Sequence, residues 1–546
     1  MISAKFSALR FGLGLLCLPC ARAVPVDPPN SDTHPPGITV IYEATTWENN
    51  TPLADLLSLA TLEKQADAQF NLGMVYYTGR GVPKDMKKAA QWLVLAAEQG
   101  HPKAQYRMGV IFEHGWGGMA TDPKEAIRWY RLSAEQGQPE AQNNLALFYD
   151  LGDGIPKDYA EAMKWYHKSA ELGNAFAQSN LGIMYDLGHG VKQDHAEAVK
   201  WYRLAAEQGD ASGEHHLALM YMNGLGVEQN PFEAAAWYRL AAEQGLAQSQ
   251  YNLGVLYRRG LGVGRDPAQA LHWYLLAANQ GYARAQFALA MMHRDGEGTP
   301  VDLEMSVRWA RRAAEQNDAE SQMLLADLLW DGTGVAKNQA EAISWFQRAA
   351  ANGSFPAWKK LGAAYASGAG IPKDLGQAAF WYGKAAKYND NDALEWLGRA
   401  YEKGLGVEKS PERGVELLTR AADQSSATAS YYLGNIYAQG DGVTKNRARA
   451  SYWYRRSAEH GMAKAQFLLG EMYIRGDGLK KDDVEGLGWI IAAAQFGYAP
   501  AREYCTRKEV RQDPDNVHAA LKRAWQISRR ITDISGGHIT SGNSLD

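Results

Sequence analysis

The sequence is poor in cysteine, close to balanced in charge and without long apolar runs, and each shortage removes a class of protein. Cysteine occurs at Cys17, Cys20 and Cys505 only. With the first 23 residues removed, as argued below, Cys505 alone remains, so no internal disulfide forms and stability rests on packing. The formal net charge is −4, which offers no broad basic field to neutralise phosphates and argues against a nucleic-acid partner. Beyond the amino-terminal stretch no segment reaches about 18 uninterrupted apolar residues, so no transmembrane span is expected. What is present is an ordinary globular composition, 46% hydrophobic and 22% charged, spread over 546 residues. That length exceeds what one core supports and predicts either several domains or one repetitive array.

The amino terminus has the layout of an export signal. Lys5 and Arg10 precede an apolar run from Phe11 to Leu18, and Ala21-Arg22-Ala23 sets small residues around a cleavage point after Ala23. A signal peptide over 1–23 predicts an exported chain, periplasmic or secreted. Acylation would require Cys20, and Pro19 stands where a small flexible residue is needed, so a lipoprotein is not expected. Pro25, Pro28, Pro29, Pro35, Pro36 and Pro52 make the next stretch an extended arm. With a capping helix from Leu53 to Lys64 it fills residues 24–65.

Self-similarity decides the architecture. Trp92, Trp129, Trp165, Trp201, Trp237, Trp273, Trp309, Trp345 and Trp381 recur every 36 residues, with one interval of 37; Leu417 holds the register and Trp453 and Trp489 resume it. These are twelve units over residues 66–497. In the unit from Ala141 to Gly173, Ala141, Leu145, Ala146 and Tyr149 form one apolar helical stripe, closed by Gly152 and Gly154. Asp158 with Glu161 reads as a capping box opening a second helix, as do Asp194 with Glu197 and Asn338 with Glu341. Asp122-Pro123, Asn230-Pro231 and Asp266-Pro267 mark the same boundary with proline at the first helical position. The second helix buries Ala162, Trp165, Tyr166, Ser169 and Ala170 and stops at Gly173. Two helices of about twelve residues are marginal alone, so neighbouring units must complete the core. Glycines inside the first helix, such as Gly109, Gly182 and Gly254, cost helix propensity and predict a close helix crossing. Residues 498–531 read as carboxy-terminal capping helices and 532–546 as a loose tail.

The wording Ala-Gln-x-x-Leu-Gly-x-x-Tyr, Gly-x-Gly-Val, then Ala-x-x-Trp-Tyr-x-x-Ala-Ala-Glu-Gln-Gly, as in Ala177 to Gly209, resembles the Sel-1-like repeat, a relative of the tetratricopeptide repeat. The resemblance implies an all-α, right-handed superhelical solenoid that holds proteins or peptides in assemblies, in envelope assembly or host interaction. It departs from the pattern where Asn317, Asn389 and Ser425 replace the turn glycine and Leu417 replaces tryptophan, which predicts irregular curvature there.

No catalytic constellation accompanies the repeats. The adjacent His215-His216 lacks a completing Cys or acidic set, so no metal or cofactor is expected and the histidines read as variable surface positions of the first helix. Glycine runs such as Gly260 to Gly264 lack the lysine and hydroxyl pair of a phosphate loop. Some Sel-1-like proteins are described as penicillin-binding or β-lactamases, but Ser-x-x-Lys and Lys-Thr-Gly are both missing and the relatives' paired cysteines are absent. An enzyme acting on peptidoglycan or β-lactams is therefore the alternative, beside a fixed subunit of a polysaccharide-secretion or motility complex. The tryptophan stripe reads as core. By the relationship to tetratricopeptide repeats, the concave groove is lined by Tyr77, Glu113, Asp150, Asp186, His215, Met222, Tyr251, Arg258, Arg259, Phe287, Arg294 and Trp330. Its acids come first, then arginines, with aromatics interleaved, which suits an extended peptide of opposite polarity.

Overall fold

The structure, a computed structural model, describes residues 53–507 and 514–534. The expected signal peptide, the proline-rich arm and most of the expected tail lie outside the described residues. Among the described residues there are 27 helices and no strand. They fall into two compact units, one up to Val301 and one from Asp302. The first opens with Leu53–Thr61, continues through six helical hairpins and ends on Ala283–Asp295. The second starts with Leu303–Ala314, adds five hairpins and closes with Ala499–Thr506 and Pro514–Ile534. That last helix runs past 531, where the sequence reads a loose tail. Within each hairpin the first helix is called A and the second B, and repeats are numbered along the chain.

The third repeat shows why this sequence folds so. Helix A, Pro139–Leu151, ends on Gly152 at φ 75°, whose N–H bonds to the Phe148 carbonyl; only glycine takes that left-handed turn without strain. Helix B, Tyr159–Glu171, is opened by Asp158, whose carboxylate accepts from the N–H groups of Ala160 and Glu161 at 3.0 and 3.1 Å. The capping box is not reciprocal. The Asp158 N–H turns instead to the Tyr149 carbonyl of helix A, 2.9 Å away, and Glu161 pairs with Lys164 at 3.2 Å. Tying the cap to the previous helix fixes the hairpin angle, which a local box would leave free.

Helix B buries the five residues its spacing predicts. Helix A does not confine itself to one stripe: Gln142, Asn143, Asn144, Leu147, Phe148 and Asp150 are buried along with Ala141, Leu145 and Ala146. A helix with neighbours on several sides has no solvent face, and the stripe described only one of its contacts. The deepest side chains are the tyrosines after the tryptophans: Tyr130, Tyr166, Tyr202, Tyr238 and Tyr274 are all but inaccessible. The tryptophans flank them, buried at Trp129, Trp165, Trp309, Trp345 and Trp489 and half-buried at Trp201 and Trp237. The helix A glycines meet these rings. A Cβ on Gly182 would stand 2.6 Å from the Tyr202 ring, and one on Gly254 2.7 Å from Tyr274, so the expected close crossing is the reason for glycine. Asn317, Asn389 and Ser425 keep positive φ, at 65°, 58° and 67°. They reproduce the turn that glycine makes elsewhere.

Candidate partner-binding surface

Two rows of side-chain hydrogen bonds link many of the neighbouring repeats, and neither was read from the sequence. Gln105 on helix A donates to the Ala97 carbonyl of the preceding helix B at 3.2 Å and accepts from Gln136 at 2.7 Å. Gln178 repeats this with Ala170 and Gln208, and Gln250 with Ala242 and Gln280. The side-chain amide donates from its nitrogen and accepts at its oxygen, so one neutral group serves both partners. On the other side, the residue two after the tryptophan straps the tyrosine of the next helix A: Arg131 to Tyr149 at 2.8 Å, Arg203 to Tyr221 and Arg239 to Tyr257 at 2.6 Å each. The constant 18-residue offset between these partners was the available signal.

The residues expected to line a groove are largely engaged within the chain. In the first unit Tyr77 is buried under the Arg107 guanidinium, 5.3 Å from its ring centre. Glu113 accepts from the Tyr130 hydroxyl at 2.6 Å. Asp150 is buried and accepts from Tyr166 at 3.5 Å. Asp186, also buried, lies 2.7 Å from His195 Nδ1, and burial raises its pKa while the imidazole opposes that. Met222 packs on the core of the fifth repeat. Tyr251 sits between Tyr274 and Tyr282, and Phe287 is half-buried. Arg258 holds Glu297 at 2.7 Å, which Arg265 also reaches at 3.0 Å, and Arg294 folds onto Asp295 at 2.7 Å. Arg259 is exposed. In the second unit Trp330 is half-buried, 5.9 Å from the Phe346 ring.

His215 and His216 correct the expectation that the histidines are surface positions: they are 4% and 2% exposed. His216 stacks on Tyr202 with ring centres 5.0 Å apart, and neither ring nitrogen has a hydrogen-bond partner. His215 Nδ1 lies 2.7 Å from Ser249 Oγ. Burial pushes them down to about 3 and about 4, so both rings are neutral. Glu214 beside them takes the glutamine position and accepts from Gln244 at 2.9 Å; burial lifts its carboxyl to about 7. No group of three His, Cys, Asp or Glu among the described residues is placed to hold a metal ion, and no described helix is long and apolar enough to cross a membrane.

Helical hairpins of one length, each completing its neighbour's core, define a helical-repeat solenoid. The Sel1 repeat profile matches twelve segments, 66–101, 102–138, 139–174, 175–210, 211–246, 247–282, 283–318, 319–354, 359–390, 391–426, 427–462 and 463–498, and the chain belongs to that family. A solved protective antigen of uropathogenic Escherichia coli with an SLR fold is similar at 35% identity, over 84% of this chain and 99% of that one, with a TM-score of 0.67. A Sel1 repeat protein from Oxalobacter formigenes is 32% identical over 45% of this chain and 96% of its own, with a TM-score of 0.41. An immunity protein from Pseudomonas aeruginosa is 21% identical, over 39% and 81%, with a TM-score of 0.28. No curated protein matches.

Proposed function

We propose that this chain is an exported scaffold that holds protein partners on the surface of its repeat array. The observation that carries this reading is the division of labour within the repeat: frame positions are spent on core, caps and inter-repeat links, while variable positions recur at a fixed spacing. Three residues after the tryptophan, the first unit presents Leu95, Leu132, Leu204, Leu240 and Leu276, all partly exposed, with Lys168 breaking the series, and the second presents Arg312, Arg348, Lys384, Arg420 and Arg456 before the buried Ala492 ends it. Rows in which most repeats present a like side chain suit an extended or helical partner that makes many modest contacts. The signal-like start supports export, as does the similar Escherichia coli protein's description as a protective antigen. The earlier groove belongs to this proposal through the exposed Arg259 and the half-exposed Arg294, which pairs with Asp295.

Affinity capture with the mature chain from envelope and culture extracts tests it. A partner retained by wild type and weakened by about tenfold in Arg259→Glu with Arg294→Glu, the array still folded, is the expected result for a binding groove. Capture of no protein would overturn the scaffold reading. Partners held with unchanged affinity by the variant would move the site off the groove.

A further inference from the structure

Where the ninth repeat meets the tenth, three features of the repeat are missing together. The residue two after Trp381 is Gly383, where the other eleven repeats carry a side chain, and a Cβ placed there would meet nothing within 4 Å. Tyr401, the tyrosine that this position would strap, is covered instead by Arg413, 4.5 Å from its ring centre. Leu417 stands where the other repeats have tryptophan. The result is an open groove of about 530 Å³ between helices B of these repeats, Leu375–Ala386 and Pro411–Asp423, floored by Leu397 and Tyr401.

Four cations line this groove and no acid does: Lys384 and Lys387 on one wall, Arg413 and Arg420 on the other. Nearby ion pairs use other partners, Lys359 with Asp392 and Arg456 with Asp423. Among the described residues none of the four has a carboxylate at ion-pair distance. Arg420 is held in place by the Ala386 carbonyl at 3.2 Å and by Asn389 Oδ1, so its guanidinium is pre-positioned.

We propose that this groove binds a short acidic peptide segment carrying one bulky apolar side chain. The apolar side chain fills the space that tryptophan occupies elsewhere, against Leu397 and Leu417, and flanking carboxylates meet the cations on the two walls. Arg413 and Arg420 lie two helical turns apart, about 10 Å, which is too far for one carboxylate headgroup and matches acids three residues apart on a peptide in the polyproline II conformation, which share one face about 9 Å apart. The spacing therefore selects a peptide over a single-headed amphiphile. Four cations on an apolar floor are also too short a track for nucleic acid. The site rests on the scaffold reading, since its ligand is a protein segment, and it gives that reading a location and a ligand chemistry.

The test is fluorescence anisotropy of the full chain with a labelled synthetic peptide in which one tryptophan is flanked on each side by glutamate pairs. Leu417→Trp restores the residue of the other repeats and should fold, as a cooperative helical melt would verify. Binding by wild type, weakened at least about tenfold in Leu417→Trp and in Lys384→Glu with Lys387→Glu, and weakened similarly when the glutamates are made glutamines, is the expected result. The proposal is overturned by absence of binding, by equal affinity in Leu417→Trp, or by laurate binding the groove where the peptide does not. If partners are captured from extracts while the peptide fails, the groove is wrong and the scaffold reading stands.

Discussion

Glu214 differs from the glutamines of neighbouring repeats by one group, and that group makes the joint between the fourth and fifth repeats depend on pH. A glutamine here donates to the helix before it, as Gln178 and Gln250 do; a carboxyl can do so only when protonated. With its folded pKa raised to about 7 from the ordinary 4.5, Glu214 contributes stability that is complete below pH 4.5 and lost as pH rises through about 7. Glu214→Gln should stabilise the first unit by about 1 kcal/mol at pH 8 and change little at pH 4, read from urea unfolding at the two pH values. His216 has the opposite sense. Held neutral down to about pH 4, it costs stability progressively as pH falls below 6.5, so His216→Phe should flatten the acid limb of the same unit's stability curve. At Ser425, φ 67° strains a residue with a Cβ, and Ser425→Gly should raise the second unit's stability by about 0.5–1 kcal/mol in thermal unfolding.

The element that matters is the hairpin with its neighbour, because helix A packs against the preceding helix B as well as its own and buries residues on several sides. Removing one whole repeat, residues 175–210, should leave a shorter array that still unfolds cooperatively by circular dichroism. Removing one helix of that pair should abolish cooperativity, since the next Gly–Tyr crossing and glutamine link then lose their partners. Much of this element was legible. The tryptophan period located the hairpins, Asp158 and Gly152 marked their ends, and Ala162 to Ala170 identified the buried face of helix B. Less legible was what lies beside a helix. The stripe through Ala141 and Tyr149 gave no hint that Asn143 and Asn144 are buried, because their partners come from neighbouring repeats, Asn180 for Asn143 and Tyr130 for Asn144. His216 was misread for the same reason: its companion, Tyr202, comes from the preceding repeat. The groove residues were placed on helix A as expected, but Asp186 and Arg258 are taken up by His195 and Glu297, partners that a single-helix reading does not include.

On the scale of the whole molecule, one position of the repeat changes character between the units, from the row containing Leu204 to the row containing Arg348. A partner held by the first row should resist added salt, whereas one held by the second should lose affinity steeply between low and physiological ionic strength. Titrating captured complexes with sodium chloride separates the two, and a uniform response would refute a difference in contact chemistry between the rows. The links that join repeats have a further consequence. The tyrosine straps connect residues 18 apart, the glutamine-to-carbonyl bonds 8 apart and Arg258 to Glu297 39 apart. Contacts so near in sequence give a low contact order and little loop-closure entropy to overcome. A chain delivered end-first through a narrow channel can therefore fold vectorially, each hairpin docking on the last as it emerges, with only about one repeat's length of unprotected polypeptide at a time.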